Sequence, residues 1–453
     1  MPHREKSFAT ALPVEILHDI LNIVSEAHSD RVITLQSCAL VCREFRQHCR
    51  PLIYSTVQIN FPCFKPTKAD YSVASMTPQT FALLVQKHHD IPRFIRTLRY
   101  TPDNNSRYPF GPAFLKALRR LSHVESLTIR ETRVPNATAR PDTCGAIIDI
   151  LRLPSLKHLV LRVGHFPVSV LAFCSNLKTL DMKVSYDCSP EFITGALVLD
   201  HQALPKPRNL TTSSIIRSPF LTSPTVKTAS PPCYGYDAGA DWVPIVDSSY
   251  LETLRFDRLT QDEFIPLVER LKGCQRLHTL ALMGHENKFV SWSGLGDLLE
   301  STRIRNLRLQ FHPSIGPNPG NDRVSHWIAR TDILLGLLSE LRPLKRPSVE
   351  ALFLEVHLPY HFISVASFSN WIPDPALNFR CPWSRLAEIL ASWPRLKQLV
   401  LAVKISSDFK NRNDLDFLGT YDFSRELKGL LQNRFAELVD GSGVNFVCTV
   451  VGK

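Results

Sequence analysis

The sequence predicts an α/β protein in two parts: a small α-helical module, then a solenoid of repeated helix and strand units with a parallel sheet on its concave side. Three observations carry this. Two apolar stripes at helical spacing stand near the start of the chain, a pattern apolar-x-x-Leu-x-apolar returns nine times beyond them, and amphipathic segments precede most of those copies.

The first helix begins at Leu12-Pro13. Proline suits a first helical turn because its fixed φ is already helical and its missing N–H has no partner there to lose. Ile16, Leu17, Ile20, Leu21 and Val24 then recur at i, i+3, i+4 and i+7, along one face, and Leu35, Cys38, Ala39, Cys42 and Phe45 do the same for a second helix.

Leu12, Pro13, Glu15, Ile16, Leu17 and Ile20, followed by Leu40, Val41, Cys42, Arg43 and Phe45, fit the F-box pattern position by position. Residues 12–57 thus resemble the F-box family, and 51–57 resembles the tail of many fungal members. The connection 25–32 is longer and more polar than the family's usual one. The resemblance implies docking on the Skp-type adaptor of a cullin-RING ubiquitin ligase, the SCF complex. Leu12, Pro13, Ile16, Leu17, Ile20, Leu40, Val41, Cys42 and Phe45 are the candidate adaptor-binding residues; some must instead form the core of the helical hairpin.

Beyond this module the repeated triads are Ile95/Leu98/Tyr100, Val124/Leu127/Ile129, Leu156/Leu159/Leu161, Leu177/Leu180/Met182, Leu251/Leu254/Phe256, Leu277/Leu280/Leu282, Ile304/Leu307/Leu309, Val349/Leu352/Leu354 and Leu396/Leu399/Leu401. The last two members of each alternate as in a half-buried strand. Helical segments are expected at 113–121, 145–153, 262–271, 294–300, 332–341 and 384–392. A helix, loop and strand repeated with parallel strands stacks into a solenoid, each unit burying its apolar edge on its neighbours. This resembles the leucine-rich-repeat domain that follows the F-box in many family members. Successive copies lie 21, 26 and 27 residues apart in three intervals but 45 and 47 in the last two, where insertions or undetected units are expected. The ladder asparagine of the family is absent, so the array is degenerate.

The expected organisation is a flexible N-terminus at 1–11, the F-box at 12–57, the array at 58–404 and a C-terminal cap at 405–453. Residues 202–247 interrupt the array with Pro205, Pro207, Pro219, Pro224, Pro231 and Pro232 among serines and threonines, and are expected to form an extruded loop. The cap is expected as a helix at 425–439 started by Ser424, with Gly441 beyond its end, and a strand at 444–451.

Composition bounds the function. With 44% apolar and 21% charged residues in 453, the chain is expected to fold. Its net charge of +11 is spread among acidic residues rather than massed, which argues against nucleic acid as the main partner. Eleven cysteines without a Cys-x-x-Cys pair fit reduced thiols in a cytoplasmic or nuclear protein. No signal-type start and no bilayer-length apolar run stand in the sequence, so no membrane partner is expected. Nucleophile elbows, phosphate-binding glycine loops and zinc-helix motifs are all missing. Gly294-Leu295-Gly296 lacks the third glycine of a dinucleotide site, and His88-His89-Asp90 does not converge as metal ligands must. The expectation is a non-catalytic protein without cofactor or metal.

The resemblance therefore implies a substrate-recognition subunit, joined through the adaptor to cullin and RING subunits, whose repeat domain binds a protein substrate for ubiquitination. The competing readings are a scaffold outside ubiquitin transfer and a basic nucleic-acid-binding protein. On the outward side of the strands Arg130, Arg162 and Lys183 share one repeat position, and Arg255 and Arg308 share its neighbour. This basic stripe is the candidate substrate-binding surface, suited to an acidic or phosphorylated segment.

Overall fold

A computed structural model describes residues 13–26, 30–60, 73–101, 111–130, 141–166, 168–187, 204–213, 222–224, 242–244, 246–284, 291–311, 336–342, 344, 347–359, 382–406 and 423–452. The chain divides into two compact units, residues 1–205 and 206–453, each a stack of helix and strand repeats.

The first unit opens with helices α1 (Val14–Glu26), α2 (Arg31–Ala39) and α3 (Arg43–Tyr54). The run Leu35 to Phe45, expected as one helix, is broken at Leu40-Val41. Cys42 is extended and starts α3, its Sγ accepting the Phe45 N–H at 3.5 Å. Leu17, Leu21, Val32, Leu35, Cys49 and Ile53 are buried and form the core of this module. Arg31 ties α2 to the end of α3, its Nη2 donating to the Leu52 carbonyl at 2.7 Å and to Ser55 Oγ at 2.9 Å.

The repeats follow directly. Strands β1 (Thr56–Asn60), β2 (Ala74–Met76), β3 (Thr97–Thr101), β4 (Ser126–Arg130), β5 (His158–Phe166) and β6 (Thr179–Asp187) run parallel in the order β6-β5-β4-β3-β1-β2. Parallel neighbours need a crossover, supplied here by α4 (Pro78–Lys87), α5 (Pro112–Leu118) and α6 (Pro141–Leu151). Between β5 and β6 a 3-10 helix, Val168–Phe173, replaces the α-helix, which accounts for the 21-residue spacing.

Register is the decisive feature. Val57, Leu98, Leu127, Leu159 and Leu180 stand side by side on successive strands, as do Ile59, Tyr100, Ile129, Leu161 and Met182 one pleat further on. All ten are buried, with Ile95, Val124, Leu156 and Leu177 beneath them. Thus residues 56–57, read from sequence as the end of the helical module, also begin the first sheet strand.

The second unit repeats the plan. Strands β7 (Asn209–Ser213), β10 (Thr253–Leu259), β11 (Thr279–Gly284), β12 (Asn306–Phe311), β13 (Ala351–Pro359), β14 (Gln398–Ser406) and β15 (Asn445–Gly452) are parallel neighbours in that order. Their crossovers include α7 (Gln261–Leu271), α8 (Leu295–Ser301), helical residues 336–341, and the helices Pro382–Ala391, Phe423–Arg434 and Ala436–Ser442. Leu210, Leu254, Leu280, Leu307, Leu352, Leu399 and Phe446 form one registered row.

Three expectations change. Residues 202–247 are not only an extruded loop, because β7 lies within them and pairs with β10; β8 (Thr222–Pro224) and β9 (Trp242–Pro244) form a separate antiparallel ribbon. Pro207/Leu210/Thr212 is a degenerate copy whose threonine hid the pattern, yet Leu210 and Thr212 are buried. Next, of the insertions or undetected units expected in the 45- and 47-residue intervals, no unit stands between the paired strands, since β12 pairs directly with β13 and β13 with β14. Finally, the expected 425–439 helix is two helices meeting at buried Phe435, and the second ends at Gly443, whose φ of 68° lies in the left-handed region that glycine adopts without strain.

Candidate functional site

Two surfaces can meet a partner, and the first is the open side of the helical module. Within α1 the apolar residues divide: Leu17 and Leu21 point to the core, whereas Ile16, Ile20 and Ile23 lie exposed at i, i+4 and i+7. Leu40 and Val41, at the break between α2 and α3, are 79% and 64% exposed. With Ile33, the module holds six of the eleven large exposed apolar side chains among the described residues, and such clustering marks an interaction surface.

Of the nine residues expected to meet an adaptor, Pro13, Ile16, Ile20, Leu40 and Val41 are thus exposed. Leu17, only 8% exposed, is a core residue and not part of the open side. Cys42 and Phe45 are half-buried around the start of α3, where Cys42 acts as its cap; Leu12 lies outside the described residues. A second tie between α1 and α3 is the His18 and His48 pair, ring centroids 4.0 Å apart and Nε2 atoms 3.1 Å apart.

The second surface is the outward side of the strands. In the first unit Arg130, Arg162 and Lys183 stand in one cross-strand row, as the repeat spacing requires. All three are exposed, and Arg99 is exposed on β3, diagonally before Arg130. Among the described side chains of this face the carboxylate is Asp181, which accepts from Arg162 Nη2 at 2.9 Å.

The second unit differs. Arg255 and Arg308 do share a row, with Ala281 between them, but each is held by a carboxylate. Arg255 Nε donates to Asp257 Oδ1 at 2.9 Å, and Arg308 Nη2 donates to Glu355 Oε2 at 2.8 Å. Asp257 and Glu355 are buried, so these ion pairs anchor the sheet and do not extend the free basic stripe read from the sequence. Glu355 also lies 2.8 Å from His357 Nε2 and accepts from Lys404 Nζ, while Gln310 Nε2 is 3.0 Å from His357 Nε2. Burial alone raises a carboxyl; here hydrogen bonds from Lys404, His357 and Arg308 outweigh it and hold Glu355 at about 2.

A charge ladder at the strand entrances escaped the sequence reading. Two residues before each repeat leucine, Glu125 lies 3.7 Å from Arg96 and 3.0 Å from Lys157; in the second unit Glu350 lies 3.9 Å from Arg305 and 2.7 Å from Lys397. The same residues carry a repeated backbone link, the Arg96 carbonyl accepting from both Glu125 and Ser126, and the Arg305 carbonyl from both Glu350 and Ala351. Alternating charge at a fixed offset from the leucines was the available signal.

Among the described residues no group of three His, Cys, Asp or Glu side chains is placed to hold a metal ion, and no helix is long and apolar enough to cross a membrane. Cys38, Cys42, Cys49, Cys174, Cys274 and Cys448 are free thiols, and burial pushes Cys174 up to about 12. What the geometry offers is surface for macromolecules.

No protein-family profile matches the chain, and no curated protein matches it in sequence. Among solved structures, an internalin from Listeria monocytogenes is similar to it at 11% identity and a TM-score of 0.34, over 85% of this chain and 96% of that one. The leucine-rich-repeat-like character of this α/β chain rests on its own registered leucine rows and not on that likeness.

Proposed function

We propose that this chain is the substrate-recognition subunit of an SCF-type cullin-RING ubiquitin ligase, working in the cytoplasm or nucleus without catalytic groups of its own. Residues 12–57 dock on a Skp-type adaptor, and the repeats hold a protein substrate. The observation that supports this most is the exposed apolar set Ile16, Ile20, Leu40 and Val41, which falls on the residues that carry the F-box resemblance. A module whose own core is already filled by Leu17, Leu21, Val32 and Leu35 has no internal use for them, and covering them with a partner removes apolar area from water. The long strand faces then suit binding without chemistry: the ligase gains rate from holding a substrate near a ubiquitin-charged enzyme.

The test is reconstitution of the full chain with a Skp-type adaptor, cullin and RING subunit, followed by size-exclusion chromatography. Co-elution of all four supports the reading. Co-elution with the adaptor but never with cullin favours a scaffold outside ubiquitin transfer. Elution of the chain apart from the adaptor sinks both.

A further inference from the structure

We infer that the outward strand face of the first unit, centred on Arg99, Arg130 and Arg162, binds an acidic segment of a partner protein in extended conformation. This rests on the ligase reading only for what the partner is called: there it is the substrate, and the surface itself stands independently.

The argument is one of charge in register. Parallel strands lie about 4.8 Å apart, so a row running across β4, β5 and β6 places Arg130, Arg162 and Lys183 over roughly 10 Å. Arg99, two residues back on the neighbouring strand, adds a fourth cation at about 7–8 Å from Arg130. Against Arg99, Arg130 and Arg162 the described side chains of the face supply one carboxylate, Asp181, engaged by Arg162. Arg99 and Arg130 make no ion pair with any described residue. Between the cations lie Thr128 and Val160, short side chains that leave the guanidinium groups standing above the sheet.

The second unit is the internal comparison. There Arg255 and Arg308 at a corresponding face are each neutralised by a buried carboxylate, and Lys404 shares Glu355. Among the described residues, the cations of one face are thus balanced by its own acids, while on the other Arg99 and Arg130 are not. Guanidinium groups form paired hydrogen bonds with carboxylates and phosphates, so the complementary occupant is anionic. An extended chain crossing the strands shows side chains on one side about every 6.8 Å. Acidic groups two to three residues apart therefore reach two cations of the row at once. Glutamate and phosphoserine share this chemistry.

The experiment uses the full-length chain and fluorescence anisotropy. The probes are a fluorescein-labelled twelve-residue peptide of alternating glutamate and serine, the same peptide with phosphoserine at the serines, its lysine-for-glutamate counterpart, and a single-stranded oligonucleotide of equal charge. The variants are Arg130→Glu/Arg162→Glu, and Lys116→Glu at an exposed position of α5 as a control for charge reversal away from this face. Both must keep the wild-type circular dichroism and melting temperature; if the double variant does not, Arg99→Glu takes its place.

Expected is binding of the glutamate or phosphoserine peptide and not of the lysine peptide. The double variant weakens it at least tenfold, and Lys116→Glu by less than twofold. Whichever of the two peptides binds more tightly identifies the source of the anion. Absence of binding by both acidic peptides, equal loss in the control, or tighter binding of the oligonucleotide would overturn the proposal. Adaptor binding by the same proteins separates the two readings: loss of peptide with the adaptor retained is specific to this face, and failure to bind adaptor leaves the peptide result intact.

Discussion

Replacing Glu355 by glutamine tests how the second unit is held together. The side chain is 6% exposed and accepts from Arg308 and Lys404 while lying against His357, which brings three strands, β12, β13 and β14, onto one carboxylate. Holding this group at about 2 instead of the ordinary 4.5 sets an upper bound of about 3 kcal/mol on its contribution. Arg308 and Lys404 are 46% and 41% exposed, so water screens the pairs, and about 1–2 kcal/mol is the expected loss in Glu355→Gln at neutral pH. The pH dependence follows from the direction of the shift. A depressed carboxyl stabilises the fold fully above 4.5, and that contribution fades as pH falls from 4.5 towards 2. Urea unfolding followed by tryptophan fluorescence, with Trp292 and Trp393 buried in this unit, gives the midpoint from pH 7 to pH 3. The variant should be less stable at pH 7 and converge on the wild type as the pH drops. Parallel curves, or a variant more stable at pH 7, would refute the reasoning and show that desolvation of the cluster exceeds its attraction.

Three further outcomes are expected. In the helical module Leu17→Ala should cost roughly 2–5 kcal/mol in chemical unfolding because it opens the core, whereas Ile20→Ala, on the exposed side, should stay within about 0.5 kcal/mol. Gly296→Ala should lower stability by about 1–3 kcal/mol, since a Cβ there meets the Glu340 carbonyl oxygen at 2.6 Å; a thermal melt equal to wild type would contradict that packing. Glu350→Lys should place three cations along the strand entrances beside Arg305 and Lys397, and its small stability deficit at low salt should shrink in 1 M sodium chloride.

The repeats were largely legible because a leucine row is a local pattern copied along the chain. All nine triads fall in the sheet register, and six expected crossover helices coincide with helical residues to within a few positions. Three further copies were hidden where another residue took the place of the central leucine, as Val57 and Phe446 did, or of the last apolar residue, as Thr212 did. Register makes up for their weaker apolar content, a cooperative effect that no single segment displays. The binding face was legible only as a set of cations. Which of them would be neutralised depended on Asp257 and Glu355, whose burial is decided by the pleat and by neighbouring strands. Likewise the apolar residues of α1 were seen as one stripe, while the structure splits them between Leu17 on the core side and Ile16 and Ile20 outside.

The central claim is that the open side of the helical module is a docking surface for a Skp-type adaptor. Isothermal titration of the adaptor into the full chain, beside a Leu40→Asp/Val41→Asp variant, addresses it directly, because both side chains are largely exposed and their replacement leaves the buried core untouched. The account predicts one-to-one binding by the wild type and at least a hundredfold loss in the variant with its melting temperature unchanged. Equal affinities, or no heat of binding with the wild type, would contradict it.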